Sequence, residues 1–219
     1  MAADRIYSSD IHASPVVSIR RRFDLDSHAV ILVGVADHPE EKIVFTIGHS
    51  TRSQDELLSL LGEAGVRTLV DVRAFPTSRR HPQFNRAALS SWLTEAGVRY
   101  VHLSQLGGRR APSPESPNGG WREPGFRGYA DYMSSGEFAA GLVRLEVLAC
   151  EQPTAIMCAE AVWWRCHRRL IADALTVGGW RVEHLGVGAG HAIHKLPVFA
   201  VVKPGIALSY PPPQTSLPR

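Results

Sequence analysis

An α/β fold, with a mostly parallel β-sheet covered by helices on both faces in three layers, is predicted by three observations. Strand-like and helix-like segments alternate from residue 43 to residue 185, the pattern that builds parallel sheets through helical crossovers. The helical segments carry start and stop residues at the expected places. Polar clusters fall at the ends of four strands, on the rim where open α/β sheets bind ligands.

IVFTIG (43–48) is a buried-strand candidate. Ser53 then opens a helix with Glu56 three residues on, the spacing of a capping box. Leu57, Leu60, Leu61 and Ala64 keep helical spacing, and Gly65 follows as a stop. RTLVDVR (67–73) is the second strand. Leu89, Trp92, Leu93 and Ala96 share a helical face that Gly97 ends, and VRYVHL (98–103) is the third strand. The stretch 106–128 is a long Gly- and Pro-rich loop. Its prolines Pro112, Pro114, Pro117 and Pro124 exclude regular structure, and the part from about Ala111 to Arg127 is expected to border the cleft as a mobile lid docked by Trp121 and Phe126. A helical region from about Tyr129 to Ala149, broken at Gly136, leads to the strand TAIMC (154–158). CHRRLIADAL (166–175) is a helix ending near Gly178–Gly179, and WRVEHL (180–185) is a strand. HAVILVGVA (28–36) adds a short strand upstream. The plan is an N-terminal extension (1–42), one α/β domain (43–202) and a Pro-rich, extended C-terminal tail (203–219).

Hydrophobic residues make up 44% of the 219-residue chain, enough for a substantial core. No apolar run reaches membrane-span length and MAADRIYSSD lacks a signal pattern, so a cytoplasmic protein without a membrane partner is expected. Three cysteines, an odd set, do not suggest a disulfide scaffold. Net charge is +3, yet nine arginines lie between Arg73 and Arg127 against Glu95, Glu115 and Glu123. Guanidinium groups pair with phosphate and carboxylate, so an anionic small molecule or nucleotide is the expected partner, and nucleic acid the weaker one. The plainer account is a chain that prefers arginine throughout, with only three lysines.

Gly48–His49–Ser50 ends the first strand, Asp71–Val72–Arg73 the second, and Cys158 the fourth; Leu106–Gly107–Gly108–Arg109 follows the third. Cys158 precedes a helix that starts near Cys166, whose N-terminus lowers a thiol's pKa and attracts anions. Arg165 and Arg168 reinforce both effects. Cys158 is therefore expected to be the most reactive thiol, with a depressed pKa, against the alternative of a small buried core residue. Glu160 is read as a general acid/base or as the partner that orients Arg168 or Arg73, and His167 as a proton carrier. His49 reads as a ligand contact or a loop histidine, and Asp71 as an anchor for a helix N-terminus or an arginine. Trp163 and Trp164 stack on a planar ligand or pack over the loop. Cys158, Cys166, His167 and His49 could supply four zinc ligands. Without a C-x-x-C pair, no structural zinc and no other cofactor is expected.

TIGHST (46–51), DVRAFPTSRRHPQF (71–84), LGGRR (106–110), YADYM (129–133) and CAEAVWWRCHRRLIADAL (158–175) together resemble the bacterial and archaeal family called domain of unknown function 488. The resemblance covers about residues 43 to 187. It implies a site at His49, Arg73, Arg79, Cys158, Glu160, Cys166, His167 and Arg168, and no settled activity. Family members commonly carry a Lys- or Pro-containing segment where this chain has Ala161 to Arg165, which implies an altered mouth. LVDVR (69–73) and IMC (156–158) are also similar in order to rhodanese-type domains. The implied layout is rhodanese-like or flavodoxin-like, and layout does not fix function.

The preferred reading is an enzyme, a thiol-dependent transferase or hydrolase, acting on an anionic, phosphate-bearing or nucleotide-like substrate. Cys158, Glu160 and His167 are the catalytic candidates, and His49, Arg73, Arg79, Arg109, Cys166 and Arg168 the binding candidates. The rivals are a nucleic-acid-binding or interaction module without catalysis, and a metal-binding protein using Cys158, Cys166 and His167. Oligomeric state is not legible.

Overall fold

The computed structural model describes residues 41–188, 190–203 and 206–213. The expected strand at 28–36 lies outside them. Six strands, β1 (Ile43–Gly48), β2 (Thr68–Asp71), β3 (Arg99–His102), β4 (Thr154–Cys158), β5 (Arg181–Val187) and β6 (Gly190–Ile193), form one sheet in the order β3-β2-β4-β1-β5-β6. The first five run parallel, and β6 closes one edge antiparallel to β5. The fold is α/β, as predicted.

Successive side chains on a strand point to opposite faces, and β4 shows the consequence. Ala155 and Met157 join Ile47 and Leu69 under α1 (Gln54–Glu63) and α2 (Arg86–Glu95). Ile156 and Cys158 join Val44 and Val70 under α3 (Pro124–Tyr132), α4 (Gly136–Glu151) and α5 (Arg168–Val177). The chain leaves β1 across β4 toward β2, and leaves β4 across β1 toward β5. Connections that diverge from neighbouring strands open a crevice above their carboxyl ends.

Local chemistry sets the helix starts. The Ser53 hydroxyl accepts from the Glu56 N–H at 3.1 Å, and the Glu56 carboxylate accepts from the Ser53 N–H at 2.6 Å. Ser53→Ala is expected to lower stability by about 1 kcal/mol, seen as a lower urea midpoint at constant slope. An unmoved midpoint would show that this cap carries no stability.

Several expectations need correction. The helix after the long loop starts at Pro124, not near Tyr129; a proline at the first helical position loses no hydrogen bond. The break before α4 falls at Ser134–Ser135, and the Ser135 hydroxyl caps α4 by accepting from the Phe138 N–H. α5 begins at Arg168, so Cys166 and His167 lie on its approach rather than within it.

The domain also continues beyond residue 202. β7 (Val201–Lys203) and β8 (Ile206–Ser209) form an antiparallel pair, and the Tyr210 side chain that follows is completely buried. β8 and the buried Tyr210 thus fall within the stretch expected to be an extended tail.

The stretch expected to be a mobile lid borders the cleft through Glu123, Gly125 and Phe126 and is tied to the domain at Asn118 and Trp121. Trp121, buried at 5% exposure, lies 5.1, 5.0 and 5.3 Å from the rings of Phe126, Phe199 and Tyr210. Asp131 accepts hydrogen bonds from the Ser113 backbone and the Ser116 and Asn118 side chains. No helix among the described residues is long and apolar enough to cross a membrane.

Candidate functional site

A cavity of about 1130 Å³ opens at the carboxyl ends of β1, β2 and β4. His49, Arg73, Cys158, Cys166 and His167 form its inner wall, and Arg80, Arg109, Arg165, Glu123 and Glu160 are exposed around it. Gly48 brings two of these walls together. A Cβ there would sit 1.8 Å from the Glu160 carbonyl oxygen, so only glycine lets the chain after β4 pass over the end of β1.

Arg73 is buried and almost fully engaged. Its Nε and Nη2 donate to the two Asp71 carboxylate oxygens at 2.9 and 2.6 Å, and Nη2 also donates to the Phe84 carbonyl. Nη1 lies 3.2 Å from His49 Nε2. His49 Nδ1 lies 3.0 Å from the Ser50 carbonyl oxygen, which can only accept, so Nδ1 carries the proton and Nε2 accepts from Arg73. Burial and the Arg73 charge push the His49 pKa down to about 4. His49 is thus a neutral brace, stacked on Phe84 at 4.3 Å, and Arg73 keeps one N–H for a ligand.

The two thiols converge on His167. Cys166 Sγ is 3.6 Å and Cys158 Sγ 3.9 Å from His167 Nδ1. His167 Nε2 donates to the Val72 carbonyl at 3.0 Å, which leaves Nδ1 facing both sulfurs. All three ligand atoms lie within 4.8 Å of one another, close enough to hold one metal ion. Burial opposes ionising Cys166, but a hydrogen bond from Cys158, the neighbouring His167 and the Arg168 charge outweigh it and hold its thiol well below the ordinary range. Cys158 moves the other way, because its S–H serves Cys166 and burial adds to that effect. For Cys158 this direction is opposite to the one expected from its strand-end position.

Arg168 is only 1% exposed and does not line the cavity. Nη2 donates to the Glu160 carbonyl at 2.7 Å and Nη1 to the Thr46 hydroxyl at 3.4 Å. No carboxylate among the described residues pairs with it, and its Nε has no partner. The backbone of Glu160, not its carboxylate, orients this arginine.

From Thr46 a hydrogen-bonded run crosses the domain: His184 Nδ1 at 2.7 Å, His184 Nε2 to His194 Nδ1 at 3.0 Å, and His194 Nε2 to Asp173 at 2.7 Å. The Tyr210 hydroxyl donates to the other Asp173 oxygen at 2.7 Å. Trp163 lies flat on His184, 4.1 Å away, so it packs on protein rather than on a ligand. Nothing in the sequence singled out Thr46, His184, His194 or Asp173, because they come from four separate elements with no motif spacing.

The cleft therefore gathers His49, Arg73, Arg109, Cys158, Glu160, Cys166 and His167, while Arg168 lies beneath it. Arg79 is exposed and outside the cavity wall, and its neighbour Arg80 takes that place. A loop without periodicity gives no basis for choosing between adjacent arginines.

A family model described as "Domain of unknown function DUF488" matches residues 53–175, more than half of the chain. The chain belongs to the DUF488 family. No curated protein and no solved structure matches it. The DUF488 match contains Arg73, both buried thiols, His167 and Arg168, but starts after β1 and stops within α5. His49, His184, His194 and Tyr210 lie outside the DUF488 match.

Proposed function

We propose that the cleft is the active site of an enzyme that transforms an anionic substrate, phosphate-bearing or nucleotide-like, at the Cys158–Cys166–His167 cluster. The observation that carries this reading is Arg168, a buried guanidinium that meets only uncharged acceptors. A buried cation without a counter-ion is unfavourable, and its charge acts on both sulfurs. The Cys166 thiolate that this charge favours offsets it in part, and an anion entering the cleft offsets the rest of the positive charge gathered there. Arg73 offers one N–H from within the wall, and Arg109 and Arg165 reach from the rim. His167 Nδ1 receives a proton at the cluster, and Glu160, which faces the cavity, serves substrate atoms nearer the mouth. The reaction class is transfer or hydrolysis.

The test is calorimetric titration of the full chain with inorganic phosphate and adenosine monophosphate at low ionic strength. Arg165→Ala is expected to weaken binding about tenfold, the loss of one charge-assisted hydrogen bond, while Arg79→Ala leaves it unchanged. Turnover of aryl phosphate mono- and diesters is expected to vanish in Cys166→Ala. Absence of binding to either anion would sink the reading. RNA binding that falls steeply with salt, without turnover of any phosphate ester, would establish the nucleic-acid module instead.

A further inference from the structure

We infer that Cys158, Cys166 and His167 are the protein ligands of a zinc ion whose fourth position opens into the cleft. This rests on the reading of the cleft as the reacting site and deepens it, making the sulfurs ligands rather than nucleophiles and His167 Nδ1 a ligand rather than a proton acceptor.

The distances carry the assignment. Zinc bonds of about 2.3 Å to sulfur and about 2.0–2.1 Å to nitrogen, set at a tetrahedral angle, place nitrogen and sulfur about 3.6 Å apart. His167 Nδ1 stands 3.6 Å from Cys166 Sγ and 3.9 Å from Cys158 Sγ. These are two edges of a zinc tetrahedron. The Val72 carbonyl fixes the ring by accepting from Nε2, the outer contact that metal-bound histidines make and the one that leaves Nδ1 as the ligand.

The surroundings agree. Gly108 faces the ring, and a Cβ on it would stand 2.8 Å from Nδ1; the missing side chain keeps the ligand face clear. Both thiols and His167 line the cavity, so a fourth position is reached from solvent. His49, the fourth ligand suggested by sequence, is committed at both nitrogens, to Ser50 and to Arg73. Three protein ligands with one open position are the arrangement of catalytic zinc, whereas structural zinc is closed by four. The absent C-x-x-C pair spoke against the closed type alone.

Charge completes the argument. Two thiolates cancel the ion's charge and a neutral His167 adds none, so Arg168 leaves the centre with one net positive charge. An anionic oxygen of the substrate at the open position balances it. Zinc there holds a phosphoryl oxygen or a water molecule whose proton it loosens.

The test uses the full chain, kept reduced with a phosphine, loaded with zinc chloride or cobalt(II) chloride and desalted. Wild type and Cys150→Ser are expected to retain one zinc per chain. The cobalt form should show thiolate-to-metal charge transfer and the intense visible bands of a tetrahedral ion. Cys166→Ala and His167→Ala should each lose at least about 10–100-fold in affinity, the cost of losing even an outer-shell partner. Gly108→Ala, which keeps all three ligands, should lose affinity as well. The cobalt spectrum of wild type needs no variant to fold. Wild type without zinc and without those bands would overturn the inference, and so would full zinc retention by folded Cys166→Ala. Phosphate binding and turnover by a chain that takes neither metal would sink this inference and leave the active-site reading standing. Zinc without anion binding would do the reverse.

Discussion

Asp71→Asn is expected to destabilise the domain by about 3–5 kcal/mol, the usual result of removing one partner from a buried ion pair. Asp71 is fully buried and Arg73 nearly so, and their two parallel hydrogen bonds are 2.6 and 2.9 Å long. The carboxylate also accepts from the Tyr100 hydroxyl at 2.8 Å. An asparagine keeps one acceptor oxygen but turns an N–H₂ toward another donor, and it leaves the Arg73 charge unbalanced. Urea unfolding measures the loss. The double variant Asp71→Asn/Arg73→Met should be less damaged than the sum of its single changes, because it removes the stranded charge. Additive single effects, or a loss below about 1 kcal/mol for Asp71→Asn, would show that the pair does not hold β2 to the cleft.

Acidification is expected to destabilise the protein through His184. Burial, then the neighbouring His194 and the Arg168 charge, lower its pKa to about 3. The unfolded chain takes up this proton near pH 6.5 and the folded one near pH 3. Between those values the unfolded state binds more protons, so stability is complete above pH 6.5 and falls as the pH drops. The slope approaches about 1.4 kcal/mol per pH unit, and the loss from this group at pH 5 is about 2 kcal/mol. Urea midpoints at pH 7.5 and pH 5 should move closer together in His184→Gln than in wild type. An equal shift in both would assign the acid sensitivity elsewhere.

The contrast between His184 and Cys158 shows what a sequence makes legible. Cys158 ends a run of apolar residues, and a strand end in a parallel sheet meets the ligand rim whatever the details of packing. The same logic foretold that Arg73 and Cys158 would share a cavity, as they do. The helix faces of α1 and α2 were legible from spacing and capping residues. β7 and β8 were not, because two short strands among prolines show no period long enough to recognise. Tyr210 takes its place from contacts with Trp121 and Asp173, 89 and 37 positions away in the chain. The roles within the site were the hardest to read. Whether Asp71 or Glu160 holds an arginine depends on backbone direction at a single turn, and which thiol is eased toward ionisation depends on how the two sulfurs face each other and His167.

The hydrogen-bonded run under the cleft also has a direction. Thr46 accepts from Arg168, so its own proton goes to His184 Nδ1; neutral His184 then donates onward to His194, and His194 to Asp173. Every rung points from the guanidinium to the carboxylate. At the head stands a group that does not give up its proton in proteins, and at the foot a carboxylate already occupied by Tyr210 and His194. The run therefore braces the domain but conducts nothing. It offers the cleft no proton from below, which leaves the mouth, past Glu160 and the arginines at its edge, as the route that the cavity itself provides.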